Sequence, residues 1–144
     1  MYQHILVPTD GSELSEKALA SAIEFAKKLG SSITVITVTE PYSYSNLSDY
    51  RPESIDQYDN RVKEEAEERL NIAREFVEKK GVKCDVKAYK SFLPSDAIIQ
   101  AAQENGCDLI FMASHGRQGL AAVLLGSETQ KVLTHSKVPV MVYR

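Results

Sequence analysis

Residues 4–19, HILVPTDGSELSEKAL, contain the first instance of a strand–helix pattern that recurs along the chain. The continuous apolar run of residues 5–7 is typical of a short strand buried on both faces, and Pro8 ends it. Ser12 is a suitable N-cap for the helix that follows, because its hydroxyl can accept a hydrogen bond from a backbone N–H. Apolar residues then recur at spacings of three and four up to Gly30, a residue type that often ends a helix. The stretch therefore predicts a buried strand followed by an amphipathic helix.

The same alternation of strand and helix continues to the end of the chain. Further strands are predicted at residues 33–38, 82–88, 108–114 and 138–143, and further helices at 54–80, 94–106 and 127–136. The third strand alternates apolar residues with lysines, which predicts a half-exposed edge. Because parallel strands need long crossover connections and no hairpin signal is present, this order predicts an α/β fold. We expect a single domain, residues 1–144, with a Rossmann-like, doubly wound five-stranded parallel sheet flanked by four helices.

Composition and charge exclude several classes of protein. The chain has 43% hydrophobic and 26% charged residues, a balance that predicts a folded globular protein. Its formal net charge of −3 provides no positive field for a nucleic-acid backbone. No apolar run approaches the roughly 20 residues that span a bilayer, and the N-terminus lacks the pattern of a secretory signal. Cys84 and Cys107 form neither a metal-binding motif nor a disulfide framework. We therefore expect a cytoplasmic protein with no membrane or nucleic-acid partner.

The predicted topology also indicates where a ligand would bind. In a doubly wound sheet, ligands lie beyond the carboxyl ends of the strands, where the winding reverses direction. This rule selects residues 8–12 after the first strand, 37–41 after the second, and the loop after the fourth. The loop at 41–52 is rich in Ser, Tyr and Pro, and it is a candidate to close over the same crevice.

The loop after the fourth strand is the most informative of these segments. The stretch 112–130, MASHGRQGLAAVLLGSETQ, holds three of the seven glycines in the chain. Gly116 and Gly119 follow the strand, whereas Gly126 and Ser127 stand directly before a helix. Unpaired backbone N–H groups and the positive end of the helix dipole at that place favour an anion such as phosphate. The P-loop pattern and the dinucleotide fingerprint are both absent.

Two of these features also have a purely structural interpretation. The sequence SETQ at 127–130 matches a capping box, in which the side chains of Ser127 and Gln130 satisfy backbone donors without any ligand. Asp10 could accept ribose hydroxyls or help to hold a metal, but Asp also commonly caps or tightens the turn before a helix. The sequence leaves both alternatives open at both places.

Three segments together resemble the universal stress protein family, and the resemblance covers essentially the whole chain. They are HILVPTDGSELSEKAL at 4–19, DLIFMASHGRQGLAAVLLGSETQKVL at 108–133 and SKVPVMVYR at 136–144. The resemblance implies an adenine nucleotide alpha hydrolase-like fold. Nucleotide-binding members of the family carry G-x2-G-x9-G-S/T, a loop that wraps the phosphates of ATP. Gly116, nine further residues, Gly126 and Ser127 match the second half of this pattern, and Ala113 stands where the first glycine is expected.

The resemblance implies a site that binds ATP, AMP or ADP. Pro8, Thr9 and Asp10 would line the adenosine side, Asp10 could also hold Mg²⁺, and the main chain of Val38 would meet the adenine edge. The remaining residues that the resemblance places at the nucleotide all belong to the glycine loop. They are Met112, Ala113, His115, Gly116, Arg117, Gly126, Ser127, Glu128 and Thr129.

Two positions depart from the family pattern. The methyl group of Ala113 is harmless where its φ is negative and its Cβ points away, but it would obstruct a ligand that lies flat on that backbone. Phe92 stands where relatives often have glycine in a G-x-P turn before the third helix. We expect Phe92 to narrow the crevice or to change its wall.

The last strand predicts a partner. Its two faces are both apolar, with Val138, Val140 and Val142 on one of them, and an edge strand of this kind needs covering. The resemblance implies a homodimer in which these strands pair across a two-fold axis. The alternative is an edge that a helix of the same chain covers.

Three functions follow from these features. The first is a dimeric regulatory or stress-response module that binds ATP or another adenine nucleotide. The second is a slow, magnesium-dependent ATP hydrolase, although the motifs S-G-G-x-D-S and G-x-S-x-G are absent and the three histidines form no ligand spacing. The third is a nucleotide-free dimeric interaction protein, in which Ala113 and Phe92 have closed the site.

Overall fold

Strands and helices alternate strictly in the residues that this computed structural model describes, which are 1–43, 53–116 and 125–144. In chain order the elements are β1 (His4–Pro8), α1 (Glu13–Leu29), β2 (Ser32–Thr39), α2 (Ile55–Lys79), β3 (Cys84–Lys90), α3 (Pro94–Glu104), β4 (Leu109–Ala113), α4 (Ser127–His135) and β5 (Val140–Tyr143). All five strands are parallel and form one sheet in the order β3-β2-β1-β4-β5. The predicted doubly wound α/β fold is confirmed.

The ends of the helices follow from local chemistry. Ser12 caps α1, since its hydroxyl accepts a hydrogen bond from the N–H of Ser15 at 3.3 Å. Gly30 ends α1 in the left-handed conformation, with φ of 71°, which residues with a Cβ adopt only at a cost. Ser54 and Gln57 form a capping box at the start of α2. The predicted starts of these two helices are therefore confirmed.

The sheet separates two hydrophobic cores. One core lies between the sheet and the pair α1 and α2, and it includes Ile5, Val7, Leu19, Ile23, Leu70, Val77 and Phe111. The other lies between the sheet and the pair α3 and α4, and it includes Leu6, Ile36, Ile98, Ile110, Met112 and Val132. Consecutive strand residues alternate between these cores, which is why β1 and β4 are buried on both faces.

The central strands β1 and β4 separate toward their carboxyl ends. β1 pairs with β2 along its whole length, from His4 to Pro8, but its pairs with β4 in the described chain stop at Ile5 and Leu6. The chain winds from β1 in one direction along the sheet and returns to β4 on the other side. The reversal point therefore lies between these strands, and this is where a doubly wound sheet is expected to form its ligand crevice.

The two edges of the sheet are β3 and β5. β3 is half-exposed, as its alternating sequence predicts, and its lysines point outward. β5 is shorter than the predicted 138–143. Val138 lies before it and donates its N–H to the hydroxyl of Ser136 at 3.1 Å, so the sheet pairing starts only at Val140.

No helix in the described ranges is long and apolar enough to cross a membrane. Both cysteines are buried and unpaired.

Candidate functional site

The turn between β1 and α1 is held by the hydroxyl of Thr9. The backbone N–H of Thr9 donates to the carbonyl of Ile36 on β2 at 2.8 Å, and so continues the sheet by one residue. Its buried Oγ1 lies 3.1 Å from Oγ of Ser15 and accepts the N–H of Gly11 at 3.2 Å. This hydroxyl is thus used by the turn itself, and it fixes the backbone that leads to Asp10.

Asp10 connects the turn with the glycine loop. Its Oδ1 accepts the N–H of Ser12 at 2.9 Å, which tightens the turn as one of the two alternatives for this residue predicts. Its Oδ2 faces Gly116, where an added Cβ would lie 2.9 Å from that oxygen. A side chain at position 116 would therefore collide with the carboxylate. The close approach of Asp10 thus favours glycine at position 116, and any larger residue there would require the end of the Asp10 side chain to shift.

The two ends of the glycine loop meet at Gly126. Its N–H donates to the carbonyl of Ser114 at 2.8 Å. A Cβ at this position would lie 3.1 Å from Cα of His115 and 3.3 Å from the Ser114 carbonyl oxygen. Both neighbours are backbone atoms, which cannot swing aside. The loop therefore closes on a tight backbone contact that favours glycine, because a Cβ would need these backbone atoms to shift by a few tenths of an ångström.

The capping box, one of the two alternatives for Ser127 and Gln130, does not form. Gly126 occupies the N-cap position of α4 in an extended conformation, with φ of −62° and ψ of 153°, and no side chain caps the helix. Ser127 is therefore the first residue of the helix. Gln130 donates its Nε2 to the carbonyl of Leu125 at 2.9 Å instead of capping.

The start of α4 consequently leaves three neighbouring backbone N–H groups at the crevice. They belong to Ser127, Glu128 and Thr129, and none of them has an acceptor among the residues that the structure describes. The first intrahelical bond of α4 runs from the N–H of Gln130 to the carbonyl of Gly126 at 3.0 Å. A helix start of this kind carries a partial positive charge.

The side chains of Glu128 and Thr129 point away from this row of N–H groups and hold α4 in place. Thr129 is buried and donates its hydroxyl to the carbonyl of Ala113, at the end of β4, at 3.0 Å. The Glu128 carboxylate accepts the N–H of Ser95 on α3 at 2.9 Å. Sequence reasoning did not find the role of Ser95, because no local pattern connects residues 33 positions apart.

Ala113 has a negative φ and a Cβ that points into the core, which are the two conditions under which its methyl group does not obstruct a ligand. Tyr2 is the one non-glycine residue with positive φ in the described part of the chain, so Ala113 has ordinary strand geometry. Its methyl group belongs to the core between the sheet and the helices α1 and α2. Phe92 is 56% exposed, in the connection between β3 and α3.

The other predicted residues lie at strand ends, in the core or outside the described residues. Pro8 ends β1, and Val38 lies half-buried near the end of β2 against the core under α3. Met112 is buried in that same core. His115 follows Ser114, and its Nδ1 lies 3.2 Å from that hydroxyl. Arg117, Gly119 and residues 44–52 of the loop at 41–52 are outside the described residues.

Protein side chains alone provide no metal centre in the described ranges. No group of three or more His, Cys, Asp or Glu residues there could hold a metal ion. An ion at Asp10 would therefore need oxygen atoms from a bound molecule or from water to complete its coordination.

The protein is thus a doubly wound α/β protein in which the glycine loop leads to an uncapped helix start after β4, beside the point where the winding of the sheet reverses. The model of the universal stress protein family matches residues 1–144. The chain therefore belongs to the universal stress protein family.

Known relatives agree with this assignment. Universal stress protein YxiE of Bacillus subtilis is 35% identical to this chain over an alignment of 149 positions, which covers 100% of both proteins. The solved structure of protein MJ0577, from Methanocaldococcus jannaschii, superposes on this chain with a TM-score of 0.83 at 30% identity. The match covers 99% of this chain and 95% of the MJ0577 chain. A universal stress protein crystallised in complex with cAMP has a TM-score of 0.73 at 25% identity. The match covers 99% of this chain and 97% of that one.

Proposed function

We propose that this universal stress protein binds an adenine nucleotide, ATP, ADP or AMP, and acts as a dimeric regulatory or stress-response module in the cytoplasm. The phosphates would lie against the N–H groups of Ser127, Glu128 and Thr129, with the glycine loop around them. The base and ribose would lie toward Pro8, Thr9, Asp10 and the main chain of Val38.

One observation carries the proposal: the start of α4 is uncapped at the point where β1 and β4 separate. A helix start normally has its first N–H groups satisfied by a side chain, by water or by a ligand. Here Gly126 has no side chain that could cap the helix. The side chains of Glu128 and Thr129 bind the backbone of Ser95 and of Ala113 instead. Neighbouring N–H groups and a helix dipole suit an anion, and the phosphates of a nucleotide are anions of this kind. The family relative in complex with cAMP supports an adenine nucleotide as the ligand class.

Calorimetric titration with ATP, ADP and AMP tests the proposal, and Ser127 offers a matched pair of variants. Ser127→Glu places a carboxylate beside the phosphates, yet an acidic residue is favourable for folding in the first turn of a helix. Ser127→Gln has a similar size and no charge. We expect the glutamate to weaken binding at least about tenfold more than the glutamine does. Absence of binding to the original chain at millimolar nucleotide would contradict the proposal.

The second part of the proposal is a homodimer through β5. Val140 and Val142 lie on this edge strand, Val138 precedes it, and Met141 and Leu133 nearby are 37% and 42% exposed. An open apolar edge is stabilised by pairing with a second strand. Sedimentation velocity should show a dimer that Met141→Glu converts to a monomer. Ile55→Glu is the control, because Ile55 is 57% exposed at the start of α2. A monomeric original chain would overturn this part.

Magnesium would accompany the phosphates at Asp10. The carboxylate already lies between the β1–α1 turn and the glycine loop, so it is placed to share an ion with phosphate oxygens. Asp10→Asn should remove the dependence of ATP affinity on Mg²⁺ while AMP affinity changes little. An unchanged magnesium dependence would exclude Asp10 as the ligand.

A further inference from the structure

A groove of about 640 Å³ lies between α1 and α2, on the face of the sheet that these helices cover. Its floor is apolar and includes Leu19 and Ala73, both buried. Thr9 and Gly11, in the β1–α1 turn, line it as well. A groove of this size can accommodate several side chains of a partner.

Two large apolar side chains on α2 line this groove without entering the core. Ile72 is 61% exposed and Phe76 is 41% exposed. They are four residues apart, so they lie on the same side of the helix, one turn after the other. Exposed apolar side chains that adjoin an apolar groove are typical of a surface that a partner covers.

The charged side chains that line the groove indicate which charge a partner should carry. Glu16 on α1 and Glu65 and Glu68 on α2 line it. Glu65 pairs with Arg61 at 3.3 Å, whereas neither Glu16 nor Glu68 has an ion pair within the described residues. The cation that lines the groove, Arg69, donates to the hydroxyl of Thr37 at 3.1 Å. The three glutamates outnumber Arg69, so the lining carries a net negative charge, which disfavours a phosphate and favours a cationic partner.

We propose that this groove docks an amphipathic helix of a partner protein, with apolar side chains at i, i+3 or i+4 and i+7 and with Lys or Arg beside them. The apolar side chains would cover Ile72 and Phe76, and the cations would meet Glu16 and Glu68. This combination matches the helix-in-groove mode of recognition. The apolar stripes of the chain's own described helices are packed against the sheet, so none of them is available as the occupant.

A labelled model helix tests the proposal directly. The probe is an acetylated and amidated peptide of leucine, alanine and lysine, with leucines at i, i+4, i+7 and i+11, measured by fluorescence anisotropy without nucleotide. The control peptide has the same composition in an order that breaks the helical period. We expect the periodic peptide to bind at least about tenfold more tightly than the control.

Protein variants then locate the site. The double variant Ile72→Ser with Phe76→Ser and the single variant Glu68→Lys should each weaken binding about tenfold or more. Both exposed apolar positions tolerate serine, and a thermal melt checks that the fold is kept. Glu67→Lys is the matched control, because it makes the same charge change on the far side of α2 and should leave binding unchanged.

Three outcomes would overturn the proposal. The first is equal binding of the two peptides, and the second is an equal loss in Glu67→Lys and Glu68→Lys. The third is self-association, detected by sedimentation, that disappears in the double serine variant, since a second copy would then be the occupant of the groove.

Discussion

The Glu128 carboxylate on α4 accepts a hydrogen bond from the backbone N–H of Ser95, in the first turn of α3, at 2.9 Å. Leu93, the N-cap residue of α3, has no side chain that could accept this bond. A residue from the following helix therefore caps α3, and its negative charge lies at the positive end of that helix. The contact joins α3 to the helix that starts the candidate phosphate site.

Loss of this cap should destabilise the protein. We expect Glu128→Ala to lower the free energy of unfolding by about 1 kcal/mol, the typical effect of removing a helix cap. Glu128→Gln keeps an acceptor oxygen and should restore part of this loss. Urea unfolding followed by circular dichroism measures both. Lys131 lies 3.4 Å from Glu128 in an exposed ion pair, so Lys131→Ala should change stability by less than about 0.5 kcal/mol.

The stability of the protein should depend on pH through Asp108. Burial alone would raise the pKa of this carboxyl, but the backbone N–H groups of Gln3 and His4 donate to it at 2.9 and 3.0 Å and hold its pKa below the usual value. The ionised form therefore stabilises the folded state above the pKa of the unfolded chain. This contribution is lost as the pH falls through the lower, folded pKa.

The variant Asp108→Asn distinguishes the contribution of Asp108 to the pH dependence of stability from that of the other carboxyl groups. At pH 7 we expect the variant to lose about 1 kcal/mol of stability, because the amide offers one acceptor oxygen in place of two. Below the folded pKa the original carboxyl is protonated, and the difference between the two proteins should shrink. A difference that stays constant from pH 7 to pH 3 would contradict the assignment.

The contact between Asp10 and Gly116 predicts a coupling between the two residues. Gly116→Ala places a methyl group against Oδ2 of Asp10, so the carboxylate must turn and its bond to the N–H of Ser12 is strained. We expect a loss of stability of about 1 kcal/mol in the original chain. In the background of Asp10→Ala the obstacle is absent, and the same glycine substitution should cost much less. Additive effects in this double-mutant cycle would disprove the contact.

Both cysteines should be unreactive in the folded protein. Burial raises the pKa of Cys84 and of Cys107 to about 11. At pH 8 a thiol of that pKa is ionised to about one part in a thousand, and the thiolate is the reactive form. A thiol reagent such as Ellman's reagent should therefore label neither residue until the chain is unfolded in guanidinium. Rapid labelling under native conditions would show that a thiol is accessible.

The order and type of the strands and helices could be predicted from local sequence patterns. The apolar runs of the strands, the Ser12 cap and the left-handed Gly30 all depend on residues within one or two turns of each other, and such local preferences can be read from one chain. The doubly wound topology followed, because parallel strands joined by helices allow few arrangements.

The conformation of the glycine loop depends on contacts between residues that are distant in the chain. The SETQ pattern at 127–130 contains the residue types of a capping box, yet Gly126 takes the cap position. Its backbone is held by Ser114 and His115, more than ten residues earlier in the chain. In the same way, Asp10 and Gly116 meet because β1 and β4 are neighbours in the sheet. Contacts between distant residues depend on how the elements pack, and the periodicity of a single segment carries no information about them.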